Sequence, residues 1–354
     1  MDMNTDVIKN NLKDVINSEI AILIAKLDEF KGQFNATHKL VPERLLHLKK
    51  VATIESIGSS TRIEGATLTN HEVEVLLRGI KIASFKSRDE QEVLGYAELM
   101  ETIFSSWEHM PITENHIKQC HAILLKYSDK DERHRGEYKK LPNHVEAFDE
   151  TGKSVGVVFE TATPFDTPFR MQELIAATNE LLIKGEIHPL TSIGWFVKEF
   201  LKIHPFQDGN GRLSRTLTTL LLLKHGYHFV PYSSFEKVIE DNKSEYYIKL
   251  RRAQTADSDK GLQEWTVFFL KCMQTLKERL EKKLGEEALL QSLPTLSVQI
   301  IEIIKSRGQV SVSQIVDMTH ANRNTIKAHL KKLVRLQYLD MQGIGKGTKY
   351  RSRI

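Results

Sequence analysis

The sequence predicts a mainly α-helical protein with one β-hairpin and a small winged helix-turn-helix domain at its C-terminal end. Only 19 of its 354 residues are Gly and 9 are Pro, and apolar residues recur at helical spacing along most of the chain. From Gln291 onward, 11 Lys and Arg face 3 Asp and Glu, whereas the whole chain has a net charge of only +4. This basic end is therefore predicted to be a separate module with its own partner.

Composition argues against several protein classes. With 40% hydrophobic and 27% charged residues, the chain is not expected to be fully disordered. Cys120 and Cys272 are the only cysteines, too few for a disulfide framework or a structural zinc site. The N-terminus is polar and acidic, unlike a signal peptide, and no apolar stretch reaches membrane-spanning length. We expect a cytoplasmic protein without a membrane segment.

The apolar periodicity divides the chain into successive helices. A first amphipathic helix is expected over residues 7–33 and a long one over about 260–285. One non-helical stretch lies between them: His144–Phe148 and Ser154–Phe159 flank the turn-rich Asp149–Lys153, which predicts a β-hairpin. The remaining helices are predicted at 41–57, 69–80, 88–108, 113–127, 168–184, 190–203 and 211–225.

The basic end has the pattern of a winged helix-turn-helix domain. A helix at 296–306 precedes two helices within 311–339, separated near His320–Asn322, and a Gly-rich wing follows at Gly343–Gly347. Winged helices bind either nucleic acid or protein, so residues 313–351 are predicted to contact DNA or, alternatively, a protein. The side chains suited to phosphates or base edges lie on the second helix of the pair: Arg323, Asn324, Lys327, Lys331 and Lys332.

Residues 204–215, with the sequence HPFQDGNGRLSR, carry the most informative pattern. Two glycines flank Asn210 just before an apolar helix. Glycines let main-chain N–H groups turn toward a ligand, and the helix N-terminus adds partial positive charge. Arg212 and Arg215 are three residues apart and share one helical face. Together these features predict a cradle for a polyphosphate.

Two further side chains of this segment suggest chemistry. Asp208 offers the hard carboxylate oxygen that Mg²⁺ prefers near phosphates, and His204 could accept a proton near neutral pH. The segment matches HxFx(D/E)GNGRxxR at every fixed position and resembles the signature of Fic-domain proteins. The resemblance extends over about residues 60–260. It implies a Fic-type helical bundle that transfers AMP from ATP to a hydroxyl side chain of a target protein.

The resemblance also implies a role for each position of the motif. His204 would deprotonate the attacking hydroxyl, Asp208 would hold the Mg²⁺ that bridges the α- and β-phosphates, and Arg215 would bind the γ-phosphate. Phe206 would anchor the loop in the core. The remaining positions would form the anion hole and contact the phosphates: Gly209, Asn210, Gly211 and Arg212.

The predicted hairpin resembles the family's flap, which grips a segment of the target protein by main-chain pairing. Residues 156–161 are expected to form that docking edge, with Val157 and Val158 near the nucleotide. The family usually has an arginine where this chain has Lys139. The resemblance also assigns three downstream residues to an adenine pocket, although the family often has asparagine at the last position: Tyr246, Tyr247 and Gln254.

An inhibitory pattern precedes the catalytic segment. Ser60 and Glu64 are one helical turn apart and Gly65 is a natural helix stop, which matches the family's (S/T)xxxE(G/N). The resemblance implies that Glu64 pairs with Arg215, occupies the γ-phosphate site and autoinhibits the enzyme. A carboxylate so placed could also orient a water and remove AMP from a modified target.

These predictions define four regions: an N-terminal helical region with the inhibitory helix (1–110), the catalytic core with the flap (111–260), a linker helix (261–290) and the winged helix (291–354). The expected function is autoinhibited transfer of AMP, with Mg²⁺ and ATP, to a Tyr, Thr or Ser of an unidentified protein or of the chain itself. Two alternatives stay open: a deAMPylase using the same site, and a nucleotide-sensing DNA-binding regulator. A homodimer is also expected from the helical surfaces of the family.

Overall fold

Helices dominate the computed structural model, which describes residues 5–37, 42–79, 87–148, 154–255, 259–291, 293–343 and 345–353. The chain divides into two units, Met1–Glu278 and Arg279–Ile354. The helices that begin in the first unit are α1 (Thr5–Asp14), α2 (Ser18–Thr37), α3 (Pro42–Ile63), α4 (Asn70–Arg78), α5 (Arg88–Ser106), α6 (Glu114–Leu124), α7 (Thr167–Lys184), α8 (Pro189–Ile203), α9 (Asn210–Lys224), α10 (Phe235–Asp241), α11 (Lys243–Thr255) and α12 (Asp259–Gln291).

The single helix predicted over 7–33 is wrong, because α1 and α2 are separate. The Asn17 side-chain oxygen accepts a hydrogen bond from the main-chain N–H of Ile20 at 2.9 Å. Asparagine competes well for such main-chain donors and therefore caps a new helix here instead of continuing the first.

Helices α8 and α9 form the centre of the first unit. Nearly every residue of both helices is buried, including polar ones such as Thr191 and Thr218, as expected for helices surrounded by other helices. The short loop that joins α8 to α9 contains the segment singled out above, so two buried helices hold its ends. No helix in the described ranges is long and apolar enough to cross a lipid bilayer.

The C-terminal turn of α3 closes in a Schellman motif. The N–H of Gly65 donates to the carbonyl of Arg62 and the N–H of Ala66 to that of Thr61, both at 3.1 Å. Gly65 has φ +104°, a left-handed conformation that glycine adopts without steric cost. Glu64 is thereby held at the last position before the chain reverses.

The hairpin consists of β1 (His144–Phe148) and β2 (Ser154–Glu160), which pair antiparallel with Val145 opposite Phe159. The predicted turn at 149–153 lies outside the described residues. The two strands form a sheet of their own in the described part of the chain, so each has an edge to which another strand could be added.

The second unit contains α13 (Thr295–Arg307), β3 (Gln309–Ser311), α14 (Val312–Thr319), α15 (Arg323–Arg335), β4 (Leu339–Gln342) and β5 (Lys349–Ser352). The three strands form an antiparallel sheet in the order β3-β5-β4. This sequence of elements agrees with the order expected for a winged helix-turn-helix domain. Its core contains Ile300, Ile304, Ile315, Ile326, Leu330 and Leu333.

Candidate active site

The loop between α8 and α9 is held in shape by Asn210. Its side-chain oxygen accepts from the N–H of Phe206 at 2.9 Å, and its side-chain nitrogen donates to the carbonyl of Phe206 at 2.7 Å. Both Asn210 and Phe206 are buried. The amide thus works as an internal clamp, and Phe206 occupies the core position that the resemblance implies for it.

The start of α9 offers main-chain donors. Gly209 precedes the helix with φ +80°, and no side chain caps the first turn. A β-carbon at Gly211 would collide with a carboxylate oxygen of Glu64, so an anionic group already lies against this turn. Because the N-terminus of a helix favours negative charge, a phosphate would also suit this position.

Four charged side chains form a closed ring beside the loop. Asp208 accepts from Arg212 at 3.0 Å and from Arg88 at 3.1 Å. Glu92 accepts from Arg88 at 2.7 Å and lies 3.1 Å from Arg212. These cations, together with the N–H of Gly209, hold the pKa of Asp208 below its usual value despite burial, which raises it. Arg88 and Glu92 were not predicted from the sequence.

Arg212 has hydrogen-bonding capacity that the protein does not use. The side chain is 2% exposed, yet its Nε and Nη1 donors have no acceptor in hydrogen-bonding geometry among the described residues. Glu92 is near Nη1 without the right alignment. A buried donor without an acceptor is costly, so the site fits an additional anion such as a phosphate group.

His204 ends α8 with a left-handed φ of +52°. Burial, and next the charge of Lys139, lower its pKa to about 4, so the imidazole is neutral at pH 7 and able to accept a proton. Its Nδ1 is buried and makes no hydrogen bond of normal geometry within the described ranges, which leaves Nε2 as the nitrogen available to a substrate.

Lys139 connects the hairpin to the loop between α8 and α9. The residue is 2% exposed, and its ammonium group donates to Asn143 and Thr161, each at 2.8 Å, and to the carbonyl of Ile203 at 3.0 Å. Burial lowers its pKa to about 8. Asn143 in turn donates to the carbonyl of Phe206 at 2.8 Å. The lysine that replaces the family's arginine therefore ties both ends of the hairpin to the residue before His204.

His121 supports the loop from α6, and sequence analysis missed it. Its Nδ1 accepts from the N–H of Gly136 at 2.9 Å, so Nε2 carries the proton and donates to the carbonyl of Asp208 at 3.0 Å. The ring stacks on Phe206 with centroids 3.8 Å apart. Burial lowers the pKa of His121 to about 4. A single histidine in a helix 87 residues before Asp208 gives no sequence signal for this role.

The inhibitory pattern lies directly on Arg215. The guanidinium is 2% exposed; it donates to the hydroxyl of Ser60 at 2.8 Å, to the carbonyl of Ser60 at 3.0 Å and to Glu64 at 2.8 Å. Burial raises the pKa of Glu64, but the charge and hydrogen bond of Arg215 outweigh it and hold that pKa below its usual value. The expected Glu64–Arg215 contact is thus present in the structure.

The residues assigned to an adenine pocket have different environments. Tyr246 is buried against Trp265, with ring centroids 5.6 Å apart, whereas Tyr247 is 39% exposed. Gln254 is 9% exposed. The side chains of Val157 and Val158 lie outside the described residues. Of the two tyrosines, only Tyr247 therefore presents substantial surface to a ligand.

Fold and site together define a helical domain with a preformed anion-binding loop next to a neutral histidine. Residues 111–222 match the model of the Fic/DOC family. The chain therefore carries a Fic domain, as the sequence predicted.

Known proteins with similar sequences or folds agree with this assignment. A protein adenylyltransferase Fic of Drosophila mojavensis is 28% identical over 258 residues, 72% of this chain and 47% of the relative. The Drosophila grimshawi protein of that name is 29% identical over 236 residues, 66% of this chain and 44% of the relative. The chain thus spans about half the length of the curated relatives it matches.

Two crystal structures show the same fold. A Fic domain containing signaling protein from Bacteroides thetaiotaomicron has a TM-score of 0.59 and 24% identity, covering 76% of this chain and 97% of that one. A Fic family protein from Desulfovibrio desulfuricans has a TM-score of 0.60 and 21% identity, covering 95% and 96%.

Proposed function

We propose that this chain is a protein adenylyltransferase, which transfers AMP from ATP to a hydroxyl side chain of a protein, and that Glu64 holds it in an inhibited state. The observation that carries the proposal is the Glu64–Arg215 ion pair of 2.8 Å beside a complete catalytic segment. A carboxylate that occupies Arg215 and lies against Gly211 competes with the terminal phosphate for the same partners.

The position of Glu64 is unfavourable for the helix itself. It follows the last turn of α3, where the helix dipole disfavours a negative charge by about 0.3–1 kcal/mol. Arg215, together with the Schellman turn that fixes the main chain, offsets this cost. A locally unfavourable residue that pairs with the catalytic segment supports a regulatory role.

Asp208 is the proposed Mg²⁺ ligand. Among the described residues, no cluster of three or more His, Cys, Asp or Glu side chains could hold a metal ion alone. One carboxylate together with substrate phosphates is a usual arrangement for Mg²⁺, and the oxygens of Asp208 fit it. When bound, the ion would neutralise charge on the phosphates.

The chain's own groups account for the reaction. The hydroxyl of the target gives its proton to His204 while its oxygen forms a bond to the α-phosphorus. The bond from that phosphorus to the β-phosphate oxygen breaks, and pyrophosphate leaves. The unsatisfied donors of Arg212 and the main-chain N–H groups at the start of α9 stabilise the charge on the phosphates. Residues 156–161 of the hairpin would pair with the target segment, in line with the family's flap.

The test compares wild type, Glu64→Gly and His204→Ala, with Glu64→Gln as the matched variant that keeps the side-chain size. Each is incubated with Mg²⁺ and ATP labelled at the α- or γ-phosphate, alone and with cell lysate, and analysed on a denaturing gel. We expect α-label on protein, a strong increase in Glu64→Gly and loss in His204→Ala. Transfer of γ-label would indicate phosphorylation instead, and no transfer in Glu64→Gly would favour a nucleotide-sensing regulator.

Removal of AMP is the alternative activity of the same site. The Glu64 side chain is 31% exposed. It is close enough to His204 for its charge to counteract part of the lowering of the His204 pKa, so Glu64 could orient a water molecule at the site. Release of AMP from a labelled target by wild type but not by Glu64→Gly would support this activity.

Nucleic-acid binding is a second candidate function, favoured by the exposed face of α15. Arg323, Lys327 and Lys331 lie on one face at successive four-residue intervals, all exposed. No ion pair links them to a described residue.

Binding to DNA can be measured as the fluorescence anisotropy of a labelled duplex. The affinity should fall steeply with salt, and the double change Lys327→Gln/Lys331→Gln should weaken binding. Lys305→Gln/Arg307→Gln on α13 is the matched control; equal loss in both, or no binding, would favour a protein partner.

A further inference from the structure

The two oxygens of Asp208 have different partners. Oδ1 accepts from the N–H of Gly209 at 2.5 Å and from Arg212 at 3.0 Å. Oδ2 accepts from Nη2 of Arg88 at 3.1 Å. The partners of Oδ1 belong to the loop and the buried first turn of α9, whereas Arg88 comes from the start of α5. Only Oδ2 is thus held by a group outside the catalytic segment.

Arg88 is the member of the charged ring that can leave. Its side chain is 52% exposed, whereas that of Arg212 is 2% exposed. Arg88 also donates through Nε to Glu92 at 2.7 Å, a bond that does not depend on Asp208. The guanidinium can therefore release Oδ2 and form hydrogen bonds with water in its place, while its bond to Glu92 on α5 remains.

A divalent cation and Arg88 would compete for this oxygen, because both are positively charged. Mg²⁺ binds a carboxylate oxygen at about 2.0–2.1 Å, and a guanidinium about 3 Å from that oxygen would then face a like charge at close range. Binding of the cation therefore weakens the contact with Arg88, and the contact with Arg88 weakens binding of the cation.

We propose that Arg88 is a competing cation for Asp208, which occupies Oδ2 until a divalent ion displaces it and so sets the metal concentration at which the site loads. This inference rests on the proposed role of Asp208 as a metal ligand. Arg88 therefore acts on affinity for the metal, whereas Glu64 acts on the position of the nucleotide.

The experiment measures metal binding directly. Full-length Glu64→Gly protein is titrated with Mn²⁺ in the presence of the α,β-methylene analogue of ATP, and free Mn²⁺ is followed by electron paramagnetic resonance. The same titration is made after Arg88→Gln, Arg88→Lys or Arg78→Gln has been introduced into the Glu64→Gly protein. Arg78 is an exposed arginine that pairs with Glu74 on α4 and serves as the matched control. Thermal melts establish that each variant is folded.

Arg88→Gln should bind Mn²⁺ about two- to fivefold more tightly, the range expected for loss of a half-exposed ion pair. Arg88→Lys should stay near the affinity of the Glu64→Gly parent because it keeps the charge, and Arg78→Gln should have no effect. Unchanged or weaker binding in Arg88→Gln would overturn the inference, and weaker binding would show that Arg88 orients Asp208 for the metal.

Asp208→Asn distinguishes this inference from the proposed function. It should weaken Mn²⁺ binding strongly and remove the effect of Arg88→Gln. If Asp208→Asn binds Mn²⁺ as well as its parent, the metal role of Asp208 fails and the competition fails with it. If Asp208→Asn loses the ion but Arg88→Gln gains no affinity, the competition alone is refuted.

Discussion

Ser60 accepts two hydrogen bonds from Arg215, one through its hydroxyl at 2.8 Å and one through its main-chain carbonyl at 3.0 Å. Glu64, one helical turn later, accepts a third from the same guanidinium at 2.8 Å. Arg215 is therefore bound by three acceptors, all from the end of α3. Ser60 therefore helps to hold the Arg215 side chain in place, in addition to lying near the end of a helix.

Ser60→Ala should partly release the inhibition. A hydrogen bond to a charged group is worth about 1.5–3 kcal/mol, and the carbonyl of Ser60 remains, so AMP transfer should rise roughly tenfold above wild type and stay below Glu64→Gly. Transfer of α-label from ATP measures the effect. Ser56 lies on the same helix as Ser60, and its hydroxyl bonds to Ser234 before α10. Ser56→Ala should therefore leave transfer unchanged; activity of Ser60→Ala at the wild-type level would refute the role.

Glu240→Gln should loosen the last turn of α3, which leads to Glu64, without changing the Glu64 side chain itself. Arg62 binds Glu240 through two nitrogens, at 2.6 and 3.2 Å, and donates to the carbonyl of Leu68 at 2.9 Å. Weakening this partly buried pair should speed amide exchange at residues 61–66 by roughly tenfold and raise AMP transfer. Asp241→Asn is the neighbouring control, and unchanged exchange in Glu240→Gln would contradict the prediction.

Lys139→Met should free the base of the hairpin. The change removes three hydrogen bonds that join Asn143, Thr161 and Ile203, so limited proteolysis between residues 143 and 161 should accelerate several-fold. ATP affinity should change little, because none of these acceptors belongs to the phosphate cradle. Lys140→Met, an exposed neighbour, is the control; equal proteolysis of the two variants would show that the network does not hold the hairpin.

His121 should make the fold sensitive to acid. An unfolded histidine binds a proton near pH 6.5, whereas the folded pKa is about 4. Between these values the unfolded state binds more protons, so this stability is complete above pH 6.5 and falls as the pH drops to 4, by up to about 3 kcal/mol. In denaturant titrations, His121→Gln should flatten this pH dependence and His109→Gln should not, while His204, with a similar pKa, preserves part of the slope. A slope equal to that of wild type would exclude His121 as its source.

The segment from His204 to Arg215 could be singled out from the sequence because its pattern is local, and the catalytic roles assigned to it stay predictions. The residues from His204 to Arg215 follow one another across a loop and a helix start, so spacing alone places them together. Gly65 likewise specifies the end of α3 through its own conformational freedom. The contact between Glu64 and Arg215 joins residues that are 151 positions apart, and only the family resemblance predicted it.

Residues that support the site from other helices could not be found in this way. Arg88 and Glu92 on α5, and His121 on α6, reach the loop only through the packing of those helices, and their own sequence surroundings are ordinary. The same limit applies to the tyrosine pair, since helical periodicity did not distinguish buried Tyr246 from exposed Tyr247. The short helix α10 was not predicted, although its Glu240 binds Arg62 in the last turn of α3.

Because Glu64 belongs to the same folded unit as Arg215, the competition with a nucleotide proposed for it would be unimolecular. Diluting the protein cannot release it, and a separate copy of the helix added in solution would have to match a very high effective local concentration. Under this proposal, an activating signal would have to open the last turn of α3, which Arg62 holds through its bonds to Glu240 and to the carbonyl of Leu68.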